Sequence, residues 1–88
     1  WQYNNFMFLT QGMIAEKITG KSWEENIKSH ILQPLGMTRT NLTIDELMKD
    51  QDAAIGYGLK KDSIIDKLDY YNIGAMGPAG SINSSVNE

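Results

Sequence analysis

The chain has 88 residues, enough for one small domain, and a chain of this size buries somewhat over about 60% of its unfolded surface. Its composition, 41% hydrophobic and 22% charged, is that of a water-exposed globular segment, and a net charge of −3 with scattered lysines makes no basic stripe of the kind nucleic acid requires. The absence of cysteine excludes a disulfide framework and a thiolate metal site, and no stretch reads as a signal peptide or membrane span. The chain begins at Trp1 rather than Met, and is read as an internal piece of something longer.

In chain order, Tyr3-Asn4-Asn5 precede a long apolar run. At 100° per residue Phe6, Met7, Leu9, Met13, Ile14 and Ile18 cover about half a helix circumference, and Phe8 and Ala15 extend that surface. Such breadth predicts a helix of about 13 residues buried on several sides, with Gln11 and Glu16 left outside. Gly20 is placed to end it, because a left-handed C′ position suits glycine. A second helix opens at Ser22, whose partner Glu25 completes a capping box. Trp23, Ile27 and Ile31 form its apolar stripe, and Glu24 and Lys28 are spaced to pair outside. Pro34 lacks an N–H and disfavours helix at Gln33, which predicts a stop near Leu32. The two helices then form an αα-hairpin with Tyr3, Asn4 and Asn5 at its mouth.

Beyond an irregular turn from Met37 to Asn41, Thr43 and Glu46 suggest a second capping box and a short helix from Ile44 to about Lys49. The pattern then changes to period two. Ala54–Leu59 reads as a strand, Lys60–Ser63 as a turn, and a return strand falls within Ile64–Ile73. Three glycines and Pro78 make Gly74–Gly80 a loop, and Ser81–Glu88 reads as the start of a last helix capped by Ser84 or Ser85. The predicted class is mainly α with a short antiparallel β-hairpin. The five methionines are assigned to core filling.

Tyr3-Asn4-Asn5, the apolar helix to Ile18-Thr19-Gly20-Lys21-Ser22, then Ile31-Leu32-Gln33-Pro34-Leu35-Gly36-Met37 and Thr40, together resemble the middle of the serine β-lactamase and penicillin-binding protein superfamily. The branch most similar is the one related to class C β-lactamases. The match lapses and returns at Pro78–Ser84. The resemblance implies the helical portion of an α+β β-lactamase/transpeptidase-like fold, with residues 1–88 as one fragment of a larger serine hydrolase. It implies further that Tyr3 carries protons for a nucleophilic serine, that Asn5 orients the substrate amide, and that Asn4 fills the variable middle place. The substrate would be a β-lactam, a D-amino-acid peptide or an ester, and the setting outside the cytoplasm. A phenol does such work when a neighbouring cation and partial burial lower its pKa from about 10. Read without the resemblance, the same Tyr and Asn simply cap the first helix.

No serine here is followed three residues later by lysine, the spacing that lets an amine activate a hydroxyl, and no Lys-Thr-Gly or His-x-Gly strand motif is present. The fragment is therefore expected to be inactive alone. Gly20-Lys21-Ser22 is no phosphate loop, since Ala15 stands where glycine is required. Asp50 and Asp52 fail as a calcium loop, with Ile55 and Lys61 at the positions for Gly and Glu. Ser81 stands where relatives carry a second glycine, and Ser85 where they carry threonine. His30 is assigned to the edge of the helical stripe, and no metal or other cofactor is expected. Asn41 and Asn83 begin glycosylation sequons to which no function is attached. The rival reading is a helical interaction module that binds a partner, or self-associates, through Trp23, Ile27, Ile31 and the first helix.

Overall fold

A computed structural model describes residues 1–61 and 63–88. The first helix, α1 (Asn5–Thr19), begins where Asn4 leaves the extended conformation and turns its side-chain oxygen onto the Phe6 N–H at 2.8 Å. It ends at Gly20, whose φ of 70° is left-handed and whose N–H reaches the Glu16 carbonyl at 2.9 Å. α2 (Trp23–Ile27) starts with the expected capping box: the Ser22 hydroxyl accepts from the Glu25 N–H at 3.1 Å, and the Glu25 carboxylate accepts from the Ser22 N–H at 2.8 Å. The same bonds depress the Glu25 pKa, the backbone N–H of Ser22 contributing most. Glu16, assigned to the exterior, is half-buried and accepts the Trp23 N–H at 2.9 Å. Three of the orphan N–H groups at the start of α2 are thus met by side chains.

Pro34 does not stop this helix. The chain widens into a π turn over Lys28–Leu32 and continues as α3 (Gln33–Leu35) to Gly36. Gln33 N–H bonds the Lys28 carbonyl, five residues back, and the wider turn passes the proline without the ring clash a regular helix would force. The end is a Schellman motif: Gly36, at φ 68°, donates to the Gln33 carbonyl at 3.1 Å, and Met37 donates to the Leu32 carbonyl at 2.9 Å. The extra residue shifts the apolar stripe by one. Leu32 is buried at 5% exposure while Ile31 is 43% exposed, so Leu32, not Ile31, completes the core with Trp23 and Leu42, flanked by Ile27 and Met37.

Lys28 does not pair with Glu24. Its ammonium reaches across to Glu46, in the first turn of the next helix. That helix, α4 (Ile44–Leu47), is shorter than expected, and its cap is only half a box: Thr43 accepts from the Glu46 N–H at 3.2 Å, but the Glu46 carboxylate is spent on Lys28 and the Leu42 N–H. β1 (Tyr57–Lys60) and β2 (Ile64–Lys67) form an antiparallel hairpin with Leu59 opposite Ile65. The predicted turn between them includes Asp62, which lies outside the described residues.

The last segment departs most from expectation. A 3₁₀ turn over Gly74–Met76 runs into one helical turn, α5 (Gly77–Gly80), where a loop was predicted. Ser81–Glu88 is no helix. Asn83 pairs with Asn41 through two backbone bonds of 3.0 Å, and their side chains join at 3.1 Å. The Glu88 carboxylate reaches back to accept from the N–H of Thr38 at 2.8 Å and of Arg39 at 3.0 Å, and from the Thr40 hydroxyl at 3.0 Å. The Asn83 backbone and the Glu88 carboxylate are thus tied to residues more than forty positions away, which holds this stretch along residues 38–41.

α1 is not buried on several sides within this segment. Phe6, Met7, Met13, Ile14 and Ile18 are all more than half exposed, and Gly12 is its one buried residue. Nor do the methionines fill the core as a group: Met7, Met13 and Met48 are exposed, and Met37 packs against the core. His30 is exposed. Among the described residues, no helix is long and apolar enough to cross a membrane.

Candidate active site

The residues singled out at the mouth of the helical hairpin occupy three different positions around one helix start. Tyr3 precedes the N-cap, Asn4 is the N-cap, and Asn5 is the first helical residue. Capping consumes the Asn4 side chain, so the middle residue of Tyr-Asn-Asn does the local structural work. Asn5 is left exposed, with its amide engaged by no group among the described residues. Tyr3 is 63% exposed. Its ring lies against Phe8, centroids 5.5 Å apart and planes tilted by 42°.

Tyr3 and Phe8 are the N′ and N4 residues of α1, the two positions a hydrophobic staple joins to fix the angle at which a chain enters a helix. A capping arrangement is therefore present, but Asn4 rather than Asn5 supplies the cap, and among the described residues the phenol hydroxyl and the Asn5 amide have no partner. Sequence reasoning missed Phe8, although its spacing of five from Tyr3 across an N-cap asparagine is the signal that identifies it.

α1 is set on the remainder of the segment through a narrow contact. Gly12 faces Pro78 of α5 and the Trp23 ring, and Gly77 packs against the other part of that ring. The Pro78–Ser81 stretch is thereby held on the helix that carries Tyr3 and Asn5. Ser81 is buried, and its hydroxyl donates to the Gly77 carbonyl at 3.1 Å, which closes α5.

A larger cleft of about 850 Å³ lies elsewhere, lined among others by Arg39, Asn41, Asp50, Tyr70 and Asn83, with no residue of α1. Its guanidinium, Arg39, is paired with Asp50 at 3.4 Å and Asp52 at 3.2 Å, and the Tyr70 hydroxyl donates to the Ala54 carbonyl at 2.7 Å. These groups serve the loops that carry them. Among the described residues, no three His, Cys, Asp or Glu side chains gather as a metal site would need.

The comparisons with known proteins address the whole chain. The family model described as Beta-lactamase matches residues 1–88. The chain belongs to that family. A solved structure, an octameric penicillin-binding protein homologue from Pyrococcus abyssi, is similar at 39% identity and a TM-score of 0.85, over 99% of this chain. The chain spans 19% of that relative's length. No curated protein matches. The mainly α segment with its two-stranded hairpin is thus a portion of a β-lactamase-like fold, as the Tyr-Asn-Asn and Pro-Leu-Gly-Met motifs implied.

Proposed function

We propose that residues 1–88 are the helical segment of a larger serine hydrolase of the class C-like branch, in which Tyr3 is the general base and acid and Asn5 orients the acyl donor. The observation that carries this reading is the free pair at the start of α1. An exposed phenol and an unengaged carboxamide flank an asparagine already spent on the cap, in a chain of the Beta-lactamase family.

In the complete protein a serine contributed from outside this segment attacks the carbonyl of a β-lactam, a D-amino-acid peptide or an ester. The phenolic oxygen of Tyr3 takes the serine proton and returns it to the leaving group. The Asn5 carboxamide hydrogen-bonds the amide of the substrate and holds the reacting bond in line. Water then cleaves the acyl-serine, with Tyr3 again moving the proton, so the net reaction is hydrolysis. The exposed apolar face of α1 is covered by the remaining protein. An isolated 88-residue piece would expose it and self-associate.

The test is acylation of the full-length protein by fluorescent penicillin, with nitrocefin and a p-nitrophenyl ester as turnover probes. Tyr3→Phe and Asn5→Ala slow labelling or turnover by at least about a hundredfold, the range typical of losing a general acid–base group. Undiminished rates in both variants overturn the roles given to them. The separate 88-residue chain neither labels nor hydrolyses nitrocefin, and turnover by it refutes the claim that the nucleophile lies elsewhere.

A further inference from the structure

We propose that Phe8 is a positioning residue for Tyr3: the staple across the N-terminus of α1 sets the direction of the phenol hydroxyl and so the rate of proton transfer, an inference that rests on Tyr3 being the proton carrier.

Tyr3 sits in the non-helical lead-in to α1, where no regular backbone pairing fixes it. Its hydroxyl bonds to no group among the described residues, and its ring is 63% exposed. Phe8 is the aromatic contact that restricts the ring, at 5.5 Å and a 42° tilt, within the range of favourable tilted aromatic pairs. Phe8 is itself anchored. It belongs to the second turn of α1, whose first turn is tied down by the Asn4 side chain on the Phe6 N–H and by the Met7 N–H on the Asn4 carbonyl at 3.2 Å. The cap sets the lead-in backbone and the staple sets the ring. Together they restrict where the hydroxyl stands at the start of the helix, whose first residue is Asn5. A catalytic proton carrier needs that confinement, because a displacement of about 1 Å at the reacting atoms costs rate steeply.

On this proposal Tyr3, Asn4 and Phe8 act as a unit. A capping Asn4 without Phe8 leaves the ring free to swing. Phe8 without the cap loses the fixed backbone on which the ring is hinged.

The experiment uses the full-length protein and fluorescent penicillin, with a p-nitrophenyl ester as second probe. Phe8→Leu lowers the acylation rate constant at saturating probe about fivefold, the size expected from losing one aromatic pair, with the half-saturating concentration unchanged. Phe8→Tyr, which keeps the ring, acylates at the wild-type rate. In a Tyr3→Phe background, Phe8→Leu has no further effect, because no hydroxyl remains to be aimed; a merely structural defect would persist there. An equal loss in Phe8→Tyr, or a continued loss in the Tyr3→Phe background, overturns the proposal. So does full activity in Phe8→Leu while Tyr3→Phe is impaired, and in that case the role of Tyr3 stands. Undiminished acylation in Tyr3→Phe removes the underlying reading instead. Independently of activity, 3-fluorotyrosine incorporated at position 3 gives a fluorine resonance that shifts toward the free-tyrosine position and narrows in Phe8→Leu. An unchanged resonance means that Phe8 does not restrain the ring, and refutes the proposal on its own.

Discussion

Pro78 lies directly over Gly12: a Cβ built on Gly12 would stand 2.3 Å from the Pro78 Cγ and 2.8 Å from its Cβ, with the Trp23 ring at 3.3 Å. A glycine within a helix ordinarily costs about 0.5–1 kcal/mol relative to alanine, so Gly→Ala there should stabilise. Here the obstruction is a rigid pyrrolidine ring backed by an indole. Gly12→Ala is expected to destabilise by about 1–3 kcal/mol through forced separation of α1 and α5. Urea denaturation of the full-length protein measures it, and a rise in the midpoint would mean that the close approach is not present in solution.

The start of α2 supports a second prediction. The Ser22 hydroxyl and Glu25 carboxylate bond each other's N–H, while Glu16 takes the Trp23 N–H from the preceding helix. Ser22→Ala costs about 1 kcal/mol. Because Ser22 and Glu25 act reciprocally, the double variant with Glu25→Ala should cost less than the two single losses added together. Equal additivity in a double-mutant cycle would show that the box does not act as a unit.

Acid sensitivity follows from Glu46. The hydrogen bond from Lys28 and then the Leu42 N–H hold its carboxyl below its ordinary 4.5. A folded pKa below the unfolded value means that the contribution to stability is complete above about 4.5 and is lost as pH falls through the depressed folded value. Glu88 acts in the same direction, chiefly through the Arg39 N–H. Glu46→Gln should therefore lower the melting temperature at neutral pH and lessen its fall toward pH 3. Parallel melting curves for variant and parent across that range would remove Glu46 from the acid transition.

Residues with near partners were legible in the sequence. The Ser22–Glu25 box, the Gly20 terminus and the antiparallel hairpin all depend on groups within a few positions of one another, and each is present. What stayed hidden depends on distant chain. Glu16 was assigned to solvent because helical phase alone does not show that the chain returns and places Trp23 N–H beside it. Glu88 was read as part of a helix because its partners are Thr38, Arg39 and Thr40. Lys28 took Glu46 rather than Glu24 for the same reason. At the candidate site, the Tyr-x-Asn spacing was visible, but the division of labour was not. Only the geometry shows Asn4 capping, Phe8 meeting the Tyr3 ring, and Asn5 left free.

The π turn before Pro34 inverts an expectation that helical periodicity makes firmly. At a regular 3.6 residues per turn, Trp23, Ile27 and Ile31 share a face, and truncating Ile31 should open the core while Leu32 should tolerate change. The widened turn adds a residue between Ile27 and the next core position, so Leu32 enters at 5% exposure and Ile31 turns outward at 43%. Leu32 also carries the Schellman contact with Met37, which packs on the same cluster. Leu32→Ala is expected to cost about 2–5 kcal/mol, as for a buried leucine with a well-packed surround. Ile31→Ala should cost under about 1 kcal/mol on its half-exposed face. Chemical denaturation of the two variants compares them directly, and a larger loss at Ile31 would mean that the helix runs through Pro34 in the ordinary phase, with Leu32 outside.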